Sequence, residues 1–145
     1  MTYADRVAAE MPEGIVLPDE IRRAMDWAEQ NGYLHHVYDG EDDKLENYQL
    51  RLYKEEEWEH PGASYAWFAW EEFPFSFGWD EPNPEADKRV FTFATTGGDG
   101  SRAAFWLDDN GKQWIVHRGS GSGSIWAGIM TDDPLVFLRF LAIGY

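Results

Sequence analysis

Between residues 89 and 130 short apolar runs alternate with links too short to hold a helix. "RVFTFATT", "SRAAFWLD", "QWIVHR" and "IWAGIM" read as strands, separated by "GGDG", "DNGK" and "GSGSGS". Parallel neighbours need a crossover of about a dozen residues or more. These links cannot supply one, so the runs must pair antiparallel as a meander. Asn110-Gly111 is a strong hairpin signal, and residues 119 to 124 read as a flexible connection.

The cluster Gly97, Gly98, Asp99, Gly100 has a competing reading. Residues 98 to 103 fit G-x-G-x-x-A after a strand, as in a dinucleotide fold. That chemistry needs a helix whose N-terminal amides meet a pyrophosphate. Phe105, Trp106 and Leu107 favour a strand, and no acid stands about 20 residues on for a ribose hydroxyl. Asp99 would repel a phosphate. The glycines are therefore expected to turn one strand into the next.

Upstream, "LPDEIRRAMDWAEQNG" (17 to 32) reads as a helix. Pro18 suits its first turn, Asp19 and Glu20 suit the positive end of its dipole, and Asn31-Gly32 stops it. Ile21, Ala24, Met25 and Ala28 form its apolar stripe. Residues 39 to 46 read as a polar loop. "NYQLRLY" (47 to 53) alternates, with Tyr48, Leu50 and Leu52 on one face. "KEEEWEHPG" interrupts it. From 64 to 79 odd-numbered aromatics, from Tyr65 and Trp67 to Phe77 and Trp79, would share a sheet face, with Pro74 at an edge or in an irregular stretch. Residues 80 to 87 read as a loop. "DDPLVFLRFLAIGY" closes the chain as a helix: Asp133 caps it, Pro134 takes the first turn, Leu135, Leu138 and Leu141 repeat, and Gly144 stops it. The order implies one α+β domain over residues 1–145, an antiparallel sheet with helices packed on one face.

Charge narrows the partners. Twenty-seven acids against twelve bases leave −15, and residues 39 to 87 hold fifteen of the acids and three of the bases. Such a field repels nucleic acid and anionic lipid and attracts basic proteins. Aromatics make up 17% of the chain, with eight tryptophans, so the acidic segment is not a disordered tail. No signal peptide opens the sequence and no apolar stretch approaches the roughly 20 residues of a membrane span. A soluble cytoplasmic protein is expected.

Little chemistry is encoded. Without cysteine there is no disulfide, thiolate site or cysteine nucleophile. His35 and His36 are adjacent, His60 and His117 are single, and no H-E-x-x-H occurs, so neither metal nor cofactor is expected. Carboxylates on one strand face, such as Glu55, Glu57 and Glu59, would stand close to the ~5–9.5 Å spacing of a glycosidase pair, but almost any acidic sequence allows that. The aromatic-acid segment 58–81 could alternatively hold a carbohydrate. Trp58, between Glu57 and Glu59, is expected to be exposed.

Four segments together resemble the SUKH superfamily, in the branch of the fungal cell-wall-assembly regulators and many bacterial members. They are Leu17-Pro18 before the first helix, the Gly97-Gly98-Asp99-Gly100 turn before a strand ending at Asp108, "QWIVHR" with its glycine-serine link, and a closing helix carrying Phe137-Leu138. Relatives commonly run on past a final Gly-Tyr, where this sequence stops at Tyr145, so it is a short member or a cut chain. The resemblance implies no catalysis. It implies either an immunity protein that neutralises a cognate toxin, often a nuclease, or an interaction scaffold. Together with the charge it nominates a partner-binding surface of Glu55, Glu56, Glu57, Trp58, Glu59, Glu71, Glu72, Asp80 and Glu81. Gly97, Gly98, Gly100, Asn110 and Gly111 then serve as structural turns. An exposed aromatic edge would favour a homodimer.

Overall fold

The computed structural model describes residues 1–37, 42–71, 83–97, 100–121 and 124–143. The chain runs α1 (Tyr3–Glu10), α2 (Asp19–Gln30), β1 (Leu34–His36), β2 (Tyr48–Leu50), β3 (Trp67–Phe68), α3 (Pro84–Asp87), β4 (Val90–Thr95), β5 (Arg102–Leu107), β6 (Gln113–Gly121), β7 (Ser124–Thr131) and α4 (Pro134–Ile143). Every strand pairs antiparallel with the next, giving one seven-stranded sheet in sequence order. This is the expected α+β class, with the meander extended across the whole chain.

One face of the sheet carries the core. Leu50, Phe68, Phe91, Phe93, Phe105 and Ile115 meet Tyr3 and Val7 of α1, Ile21 and Met25 of α2, and Phe137 and Leu141 of α4. A bulge in β4 matters here. Thr92 pairs with Ala104 and Ala94 with Ala103, so Phe93 is an extra residue on its strand. The insertion lets Phe93 and Ala94 both face the core, where strict alternation would send one outward. Phe93 stacks on Phe105 with ring centroids 4.0 Å apart and meets Phe137 edge-on at 5.1 Å. The opposite face has a smaller cluster, Val90, Ala104 and Val116 with Trp106 and Trp114, beside the single turn of α3.

Helix α1 was not anticipated, although its start is written in the sequence. Thr2 Oγ1 accepts from the Asp5 amide and an Asp5 oxygen accepts from the Thr2 amide, both at 3.1 Å, a reciprocal cap. Arg22 of α2 then bonds Asp5 at 2.8 Å. In α4, Asp133 caps through the Leu135 amide at 2.9 Å as expected. Its buried stripe, however, is Phe137 and Leu141, while Leu135 is exposed. Pro18 stands at the N-cap of α2 and not in its first turn.

The glycine cluster joins β4 to β5, and β5 begins at Arg102 with no helix there. Thr96 donates to Ser101 and Gly100 to Gly97 across the turn, and Gly100 takes a left-handed φ of 95°. Gly98 and Asp99 lie outside the described residues. The glycine-serine stretch departs from expectation. Gly119, Ser120 and Gly121 pair with Trp126, Ile125 and Ser124 as ordinary rungs, so most of it is strand and not a loose connection.

The β5–β6 turn holds together around Asp108. One carboxylate oxygen accepts from the amides of Asn110 (2.9 Å) and Lys112 (2.8 Å), and the other from Trp114 Nε1 (3.0 Å). Gly111 alone is left-handed, at φ 78°, which makes this a three-residue loop and not the two-residue Asn-Gly turn. The Trp114 bond first, and the two amides with it, hold the Asp108 carboxyl below its ordinary value. A depressed carboxyl stabilises the fold above the unfolded value of ~3.9 and loses that contribution as pH falls through the folded value. Asp108→Asn is therefore expected to lower Tm at neutral pH, with the gap from wild type narrowing in acid below about pH 4. Thermal melts over a pH series check this.

Candidate partner-binding surface

After β2 the chain leaves the sheet and makes a chain of tight turns. Glu57 donates its amide to Lys54, Trp58 to Glu55, His60 to Glu57 and Ala63 to His60, all at 2.8 to 3.1 Å. The Glu57 carboxylate returns to the Lys54 amide at 3.2 Å, and the Tyr53 hydroxyl donates to the Ser64 carbonyl. Residues 55–57 are thus a 3₁₀ turn. The expected shared strand face of Glu55, Glu57 and Glu59 does not form, because the backbone there is coiled and not extended.

Trp58 corrects another expectation. It is half-buried, folded back onto the sheet face away from the helices. The Arg51 guanidinium lies 4.4 Å from the Trp58 ring and 3.7 Å from the Trp67 ring, a cation held between two indoles. His35 meets Trp58 edge-on at 4.6 Å. Such cation–π contacts are worth about 0.5 to 2 kcal/mol each. Burial holds the His35 imidazole below its ordinary value, with Glu55 opposing and Arg51 adding to the effect. Burial likewise lowers Arg51. Trp58 therefore fastens the turn to the sheet through Arg51 and His35.

The glutamates do the reverse. Glu55, Glu56, Glu57 and Glu59 are exposed, and among the described residues none has an ion pair. Several acids elsewhere are paired, among them Asp5 with Arg22, Asp43 with Arg6 and Asp109 with Arg89. Glu71, also nominated for that surface, is paired with Arg102 at 2.7 Å. Glu72, Asp80 and Glu81 lie outside the described residues. Among the described residues, four exposed acids without an ion pair thus stand together on this one turn.

That turn borders a groove of about 600 Å³ between α2 and α4. Ala24 and Trp27 line it from α2, Leu138 and Ala142 from α4, and Glu57 and His60 from the turn. Trp27 is 54% exposed and touches Tyr33 edge-on at 5.7 Å. The site is therefore an apolar floor with an indole and an acidic border. Trp27 was not singled out from sequence, yet it falls off the stripe of Ile21, Ala24, Met25 and Ala28, and a large aromatic off the buried stripe is the signal that could have found it.

Of the described residues in the segment expected to hold a sugar, Tyr65, Trp67, Ala69, Trp70 and Glu71 share a hollow of about 430 Å³ with Gln49 and Arg102. Trp58 is not among its walls. Among the described residues no group of three or more His, Asp or Glu is placed to hold a metal ion, and no helix is long and apolar enough to cross a membrane. No family model matches the chain, and no curated protein or solved structure matches it.

Proposed function

We propose that this chain is a non-enzymatic protein-binding domain of the SUKH immunity type, which neutralises a toxin by covering that toxin's basic surface. The observation that carries the reading is the pairing of unneutralised Glu55, Glu56 and Glu57 with an apolar groove holding half-exposed Trp27. A nuclease must present cations to bind phosphate, and an acidic border meets them with a complementary field. Charge alone gives encounter rate, whereas an aromatic in a groove gives residence. The same negative field disfavours nucleic acid and anionic membranes as partners.

The test is rescue in cells. Co-expression with a toxin domain encoded beside this chain is expected to restore growth. Continued killing, with both proteins present and folded, counts against that pairing.

A further inference from the structure

Among the described residues the sheet ends on a strand with one free edge. β7 is its last member, and among the described residues its ladder partner is β6 alone. Natural edges are normally blunted by lysine, proline, bulges or brevity, and the one register shift of β7, at Met130, stands next to its last residue. β7 is eight residues long, Ser124–Thr131, with neither proline nor any ionisable side chain. The other edge, β1, has three residues. Where β7 borders the face opposite the helices, Ile129 is 57% exposed beside a hollow lined by Val90, Trp106 and Val116.

Helix α4 adds a second apolar strip at the same edge. It packs against α2 on one side and lies over β7. Each residue turns the helix by about 100°. With buried Phe137 as the inward direction, Leu138 and Ala142 fall on the flank that lines the groove with α2. Val136, Phe140 and Ile143 fall on the opposite flank, toward β7. Phe140 is 39% exposed and Ile143 80%.

We infer that two copies of this chain associate edge to edge through β7, continuing the sheet across a two-fold axis, with Ile129 and the outer flank of α4 closing the seam. A second copy is favoured over another partner by charge. At −15 each, two copies repel through almost any surface. The β7 edge is a strip without charge. An antiparallel register centred on Ala127, each residue's mate then lying on the same face, sets Met130 against Ser124. It therefore sets Asp132 against the uncharged glycine-serine end and not against another acid. A two-fold axis perpendicular to the sheet keeps faces matched, so the two Ile129 patches adjoin. The groove, on the other flank of α4, stays open in both copies. The inference is independent of the proposed function.

Sedimentation over a concentration series tests it on the whole chain. Wild type is expected to reach twice the monomer mass, with association strengthened by salt, since salt screens the repulsion. Ile129→Lys and Ile143→Gln are each expected to weaken dimerisation at least about tenfold, with far-UV circular dichroism unchanged. Should Ile129→Lys fail to fold, Ile143→Gln, at an exposed helix end, decides alone. A wild type that stays monomeric throughout overturns the inference, as does a dimer whose constant neither variant alters.

Discussion

Phe93→Ala lowers the unfolding free energy by about 3–5 kcal/mol, the largest loss expected of a single core substitution here. Phe93 is 1% exposed and sits between two rings, stacked on Phe105 and edge-on to Phe137. It thus ties β4, β5 and α4 together. Truncation removes an aromatic's buried area and leaves a cavity that three rigid elements cannot close. Domains of this size are stable by about 5–15 kcal/mol in all, so the variant loses about a fifth or more of its reserve. Urea unfolding reads the loss as a lower midpoint at an unchanged slope. Leu135→Ala, on the exposed side of α4, serves as the contrast and is expected within about 0.5 kcal/mol of wild type. Were Phe93 instead to point away from the helices, its truncation would cost about 1 kcal/mol or less.

What could be read in the sequence divides along physical lines. The short links of the C-terminal half dictated antiparallel pairing, since chain length alone forbids a crossover. The Ile21-to-Ala28 stripe gave α2 its inward face because its neighbours are charged. In α4 the same method misplaced Leu135. "PLVFLRFLAI" is apolar almost all round, so periodicity could not choose between stripes that differ by part of a turn. The strand through Gly119, Ser120 and Gly121 was missed because its stability comes from backbone rungs to β7, which side chains do not announce. Trp58 was judged by its acidic neighbours, a reasoning suited to extended chain. A 3₁₀ turn instead sends Trp58 back to Arg51 while the glutamates face outward.

The second large effect concerns recognition, where the two halves of the surface are separable. Trp27→Ala is expected to weaken partner binding by about 2–4 kcal/mol, mainly through faster dissociation. Its cost to the fold is smaller, because more than half of the residue is exposed and its edge-on contact with Tyr33 is worth about 0.5–1.5 kcal/mol. Reversing Glu55, Glu56 and Glu57 to lysine acts differently. These side chains are exposed and unpaired, so the fold tolerates the change, while the steering field collapses. Association should slow by about tenfold or more at low salt, and the salt dependence should flatten.

Association and dissociation rates of wild type, Trp27→Ala and the triple reversal, measured across a salt series against a toxin domain that the chain rescues, therefore test the account most directly. The prediction is a split: the reversal moves the on-rate and its salt slope, and Trp27→Ala moves the off-rate. Both rate constants unchanged within about twofold in both variants, with binding intact, would contradict it and place recognition on another face of the molecule.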